Sequence, residues 1–132
     1  MRDLTDRALD TAASLGAGYA DVRIVRRQEE SIAVKTGRLE GVASGESEGF
    51  GVRVLVDGAW GFASSHRLDL GEADRVAALA VRIARASATA LRHRVTLDGR
   101  PPAHGRYETP VREDPFAVPL ERKIGDLLAA DR

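Results

Sequence analysis

From Tyr19 to Ser65 apolar and polar residues alternate with a period of two, and on either side of that stretch the period lengthens to that of a helix. Leu4, Ala8, Ala12 and Leu15 recur at helical spacing, so residues 3–15 are expected to form a short helix with Asp3 capping its first turn and Gly16 at its stop. The runs ADVRIVRR, ESIAVKTG, RLEGVASG and GFGVRVLVDGAWGFASS predict about five short strands, with turns at Gly37, Glu46-Ser47 and Asp57-Gly58. Nine of the 13 glycines fall between positions 16 and 61, as tight turns would require. Strands joined this closely are antiparallel, because a parallel crossover needs a dozen or more residues.

A second helix is expected over roughly 70–90. Asp69 followed by Glu72 resembles a capping box, and Val76, Leu79, Ala80, Ile83 and Ala86 make an apolar stripe. All five prolines lie in 101–119, which marks 92–118 as a Pro/Arg-rich extended connector. Pro119 then suits the first position of a third helix carrying Leu120, Ile124, Leu127 and Leu128. A helix that shows its stripe after a long connector is expected to find its partner beyond Arg132, so the chain reads as the front of something longer. The expected architecture is α+β: an antiparallel meander of about five strands with helices on one face, then the connector and a C-terminal helix. The corresponding divisions are 1–91, 92–118 and 119–132.

The hairpin at 48–65 allows a finer reading. A two-residue type I′ turn at Asp57-Gly58 pairs Val56 with Ala59, Leu55 with Trp60, Val54 with Gly61, Arg53 with Phe62 and Val52 with Ala63. One face then carries Phe50, Val52, Val54, Val56, Ala59, Gly61 and Ala63, small enough to receive an alanine-rich helix. The other carries Arg53, Leu55, Trp60 and Phe62, and these four are the candidate interface. The bland alternative is that Trp60 and Phe62 cover each other and the Arg53 stem, with a cation–π contact. The functional alternative is that the patch docks a further domain or subunit, since Trp, Phe and Arg are enriched at interfaces.

Composition narrows the chemistry. The 132 residues suffice for one ordinary domain. Lys plus Arg and Asp plus Glu are 20 each, so net charge draws the chain neither to nucleic acid nor to anionic lipid, and no direct nucleic-acid binding is expected. The absence of cysteine excludes a disulfide framework, a zinc ribbon and thiol catalysis within these residues and fits a reducing compartment. Asp3, Asp6 and Asp10 interrupt the N-terminal stretch, arguing against a signal or transit peptide, and no apolar run approaches the ~20 residues of a membrane span. A cytoplasmic protein without a membrane partner is expected.

No motif selects an active site. His66, His93 and His104 have no metal-ligand spacing. Gly49-Phe50-Gly51 is followed by a strand and not by the helix that a dinucleotide fingerprint needs, and GFASS is not a nucleophile elbow. Glu29, Glu30, Glu46 and Glu48 sit at strand edges and turns, where charge discourages mispairing. No catalytic or metal-binding residue is assigned in this chain.

The motifs YADVR, GVRVLVDGAWGFAS, ADRVAALAVRIARASA and DPFAVPLERKIGDLL resemble the N-terminal domain of the TldD/PmbA family, across nearly the whole chain. These are zinc metallopeptidases, some carrying an older label as modulators of DNA gyrase, and the tail looks closer to TldD-type members. The resemblance implies a TldD-like enzyme that hydrolyses peptides or unfolded protein segments. Zinc and the catalytic Glu would come from an HExxxH helix in the C-terminal part of the family architecture, a motif with no match in residues 1–132. The chain's own part would be to shape the route to the active site and to contribute to assembly. The implied partners are the C-terminal catalytic domain, a TldD/PmbA-type subunit in a homo- or heterodimer, and a peptide substrate. A PmbA-like non-catalytic partner subunit and a self-standing sheet-based binding module are the alternatives.

Overall fold

The structure, a computed structural model, describes residues 1–99, 101 and 103–131. Its elements are α1 (Arg2–Ser14), β1 (Tyr19–Lys35), β2 (Arg38–Val56), β3 (Ala59–Ser65), α2 (Leu70–Ala88) and α3 (Leu120–Ala130). The strands form a single sheet in the order β1-β2-β3. Three strands therefore replace the expected five. No break separates ADVRIVRR from ESIAVKTG, and Glu46-Ser47 lies inside β2 and is not a turn. Residues 38–47 are exposed, and a polar or glycine residue interrupts a strand's pattern only where one face must be buried. A hydrated ribbon keeps its ladder hydrogen bonds without that constraint. Gly41 and Gly45 stand in open space and bend nothing.

The turns that do form lie at Thr36-Gly37 (φ 50° and 70°) and Asp57-Gly58 (φ 50° and 79°). Positive φ at both central residues is the type I′ signature, whose twist suits tight hairpins. The second turn sets the expected register, from Val56 opposite Ala59 to Val52 opposite Ala63, and pairing continues to Phe50 opposite Ser65.

The chain divides into two compact units, Met1–Arg27 with Ser47–Asp98 and Gln28–Glu46 with Gly99–Arg132. The first holds the core: Phe50, Val52, Val54, Val56 and Ala63 pack with Leu4, Ala8 and Ala12 of α1 and with the small face of α2. Helix α1 starts at Met1 without a side-chain cap, so Asp3 lies in its first turn and does not cap it. Its end is a Schellman motif: Gly16 N–H donates to Ala13 O, Ala17 N–H donates to Ala12 O, and Gly16 has φ 88°.

Helix α2 is capped by Asp69, whose carboxylate accepts the Glu72 N–H at 2.8 Å. Glu72 does not return the favour as a capping box would; it takes two hydrogen bonds from Arg75, at 2.7 and 2.9 Å. The buried stripe is Ala73, Val76, Ala77, Ala80, Val81 and Ala84, rotated from the expected one, so that Leu79 is half-buried and Ile83 and Ala86 are exposed. The rotation follows from having two neighbours, β3 and α1. Alanine allows close approach on both sides, whereas leucine and isoleucine would hold the helix away. Arg7 of α1 donates twice to Asp74 of α2 at 2.8 Å, and the Thr11 hydroxyl donates to the same carboxylate.

Glu72 is 7% exposed. The Arg75 hydrogen bonds, followed by one from Ser65, lower its pKa from 4.5 to about 2, against the opposing effect of burial. A carboxyl whose folded-state pKa is depressed contributes stability above its unfolded pKa and loses it as pH falls through the folded value. Glu72→Gln should therefore be less stable than the parent at neutral pH, with the gap closing as pH falls from 4.5 to about 2. Urea midpoints measured across that range check this; a gap independent of pH would remove Glu72 from the acid transition.

In the second unit, the distal halves of β1 and β2 occur with the connector from Gly99 onward and α3. Of the connector expected over 92–118, Arg100 and Pro102 lie outside the described residues, as does Arg132; the described remainder forms no helix or strand. Pro119 is the N-cap of α3 and not its first helical residue. Helix α3 buries no residue completely, but its stripe is not bare: Leu120, Ile124 and Leu128 are half-buried. Lys123 Nζ donates to Glu30 at 2.5 Å and lies 5.9 Å from the Phe116 ring centre, while the Asp131 carboxylate accepts the Gly37 N–H at 2.6 Å.

Candidate interaction face

Pleating sends Phe50, Val52, Val54 and Val56 of β2, with Ala59, Gly61 and Ala63 of β3, into the core. The intervening residues Arg53, Leu55, Trp60 and Phe62 emerge together on the opposite face. Arg53 and Phe62 are opposite each other, as are Leu55 and Trp60. Strand β1 adds Tyr19 and Asp21, which the sequence reading did not select, although both lie in the YADVR run.

Charge and aromatic geometry organise this face. The Arg53 guanidinium donates to Asp21 through Nε at 2.8 Å and Nη2 at 2.7 Å. It also lies 4.8 Å from the Trp60 ring centre, a cation–π distance. The Asp21 hydrogen bond, then its negative charge, raises the Arg53 pKa above the ordinary arginine value, so the cation is permanent. Tyr19 meets Trp60 edge-on, with centroids 5.9 Å apart and planes at 89°. Trp60 is thus half-buried and held on two sides.

Phe62 is different: it is 58% exposed. Its ring lies across Gly51, where an added Cβ would come within 2.7 Å of Cε2. The glycine supplies a shelf for the ring without enclosing it. The two large aromatics therefore rest on different supports, Trp60 on Arg53 and Tyr19, Phe62 on the Gly51 backbone.

Among the described residues, no group of three or more His, Cys, Asp or Glu side chains could hold a metal ion. The Asp21 carboxylate on this face is engaged by Arg53. Among the described residues, no helix is long and apolar enough to cross a membrane.

Residues 20–84 match the family model for PmbA/TldA metallopeptidase domain 1, a span that contains Asp21, Arg53, Leu55, Trp60 and Phe62 of the sheet face, and most of α2, but not Tyr19. Over these residues the chain is similar to the first domain of the PmbA/TldD family. A protein named metalloprotease from Methanothermobacter thermautotrophicus is 49% identical over 45 residues, covering 34% of this chain and 10% of that protein. Another metalloprotease, from Methanocaldococcus jannaschii, is 29% identical over 105 residues, covering 80% of this chain and 23% of its own length. The chain thus spans about a tenth to a quarter of the curated relatives it matches.

Two solved structures share the fold. TldE from Thermococcus kodakarensis superposes with a TM-score of 0.62 at 10% identity, covering 82% of this chain and 23% of TldE. A candidate modulator of DNA gyrase from Bacteroides thetaiotaomicron gives a TM-score of 0.55 at 21% identity, with coverages of 64% and 19%. At these identities the likeness is one of fold.

Proposed function

We propose that this chain is the N-terminal, non-catalytic domain of a TldD-like zinc metallopeptidase that hydrolyses peptides or unfolded protein segments. Its aromatic face docks a catalytic domain or a second TldD/PmbA-type subunit, and so helps to shape access to the active site. The observation that carries this reading is the exposed Phe62 beside the Trp60–Arg53–Asp21 cluster, on a sheet whose reverse side is already filled. A face of this kind, aromatic at its centre and with its charges internally paired, loses little by desolvation and gains by covering a ring. The metal, on this reading, belongs to residues outside 1–132, because the described residues offer no ligand cluster.

The test compares a longer protein containing this domain with its Trp60→Ala/Phe62→Ala variant. The variant should stay folded, each substitution costing well below the ~3–5 kcal/mol of a core aromatic deletion. Its assembly, read by light scattering, and its peptidase activity should both fall. Unchanged assembly and activity in a folded variant would reject the docking role; collapse of the fold would show that the face is core.

A further inference from the structure

Strand β3 is an edge of the sheet, with β2 beside it. The type I′ turn makes Val56 and Ala59 a hydrogen-bonded pair, and bonded and non-bonded pairs then alternate along the register. Trp60, Phe62 and Ser64 therefore turn their N–H and C=O groups away from β2. Leu55, opposite Trp60, shows the same alternation: its carbonyl turns away from β3 and accepts the Gly18 N–H at 3.0 Å. Among the described residues, no backbone hydrogen bond outside the sheet reaches Trp60, Phe62 or Ser64. Charge or proline commonly guards such an edge. Strand β1 is rich in charge, whereas β3, AWGFASS, carries neither guard.

Helix α2 adds an apolar flank above this edge. Asp74, bound by Arg7, and Arg85, which donates to Leu15 O at 2.6 Å, mark the side of α2 that faces α1. Ala80 and Ala84 lie over Gly61 of β3. At about 100° per residue, Leu79 and Ile83 fall on the flank away from α1. Helix α1 covers the β1 side of the sheet, where Ala20, Val22 and Ile24 pack on the core that holds Leu4, Ala8 and Ala12. Leu79 and Ile83 therefore overlook the open edge of β3. Leu79 is half-buried and Ile83 is 38% exposed.

We propose that the β3 edge captures an extended, unfolded peptide segment as an added antiparallel strand. The inference rests on the function proposed above, in which unfolded segments are the substrate, and gives them a binding site on this domain. The ladder is made by the outward backbone groups of Trp60, Phe62 and Ser64, so affinity comes from the main chain and tolerates varied sequence. Side chains of the added strand on the α2 side cover Leu79 and Ile83, which selects uncharged aliphatic residues at alternate positions, since a charge there would lose its water. Side chains on the other side continue the open face beside Phe62. A matching segment must bring unpaired backbone groups of its own, and an unfolded chain offers them without disrupting a fold.

The probe is a fluorescent peptide of 7 residues, the length of β3, alternating Val with Thr. When it binds, amide exchange at Trp60, Phe62 and Ser64 should slow, while Gly61 and Ala63, already bonded to β2, should not change. Proline at alternate positions of the peptide should weaken binding roughly tenfold or more, because it removes donors from the new ladder. Ser64→Pro takes away an outward donor without touching the β2 ladder, and Ile83→Glu sets a charge on the overlooking flank; each should weaken binding roughly tenfold. Trp60→Ala/Phe62→Ala should still bind the peptide, and Ser64→Pro should leave assembly of a longer protein intact, so this proposal and the docking role of the aromatic face fail by different variants. Binding that ignores the peptide prolines or Ser64→Pro would overturn the proposal. So would slow exchange at these amides before peptide is added: confined to a longer protein, it makes a strand of that protein the occupant, and rising with the concentration of this chain, it makes the occupant a second copy. If Ser64→Pro unfolds, the proline-containing peptide and the exchange pattern decide.

Discussion

Gly61→Ala is expected to be among the most destabilising single-methyl additions in this chain. A Cβ at Gly61 would lie 2.0 Å from Ala80 O, 2.6 Å from Ala84 N and 2.9 Å from Ala84 Cβ. Two of these are backbone atoms of α2, so no rotamer change can make room and the helix must move away from β3. That displacement would open the contacts of Val76, Ala77, Ala80 and Ala84, all fully buried. Overpacking in a close-packed core costs ~1–3 kcal/mol and occasionally more, and the upper end applies where the obstacle is backbone. Urea denaturation monitored by Trp60 fluorescence measures the loss. A variant within about 0.5 kcal/mol of the parent, the range of neutral surface changes, would show that α2 does not sit this close to β3.

Phe50→Ala should cost about 3–5 kcal/mol, because Phe50 is 2% exposed in the core and its removal leaves a cavity that rigid strands cannot close. Phe62→Ala provides the internal control. It changes the same residue type on the neighbouring strand but on the open face, where Phe62 is 58% exposed. Its cost should stay near or below about 1 kcal/mol, since most of that ring never left water. The difference between the two midpoints measures the sidedness of the sheet. Equal losses would mean that Phe62 is buried and that the open face is closed in solution.

Much of this was legible before the fold was known. The hairpin register, the type I′ turn and the division of residues 50–63 into a small core face and an aromatic face all follow from Asp57-Gly58 and a period of two. Local chemistry decides these features, and local chemistry is written in adjacent residues. The Asp69 cap and the Gly16 stop are of the same kind, each depending on groups within a few positions.

The five-strand expectation failed where burial ceases to inform pattern. Residues 38–47 are solvated on both faces, so glycines, serines and glutamates there carry no in–out signal and resemble turns. The α2 stripe failed for the opposite reason. A single helical wheel offers one apolar face, but α2 answers to both α1 and β3, and the requirement for close approach selected alanines over Leu79 and Ile83.

At the candidate face, the sequence named Arg53, Leu55, Trp60 and Phe62 because strand pairing places them together. It could not name Tyr19 and Asp21. Those residues stand more than 30 positions from their partners, and only the packing of β1 beside β2 brings Asp21 to Arg53 and Tyr19 to Trp60. Alternation and turn chemistry thus determined the face of the sheet on which each side chain lies. Which distant groups meet on that face was decided by tertiary structure, because strand order and helix approach are set by how the whole core fills its volume.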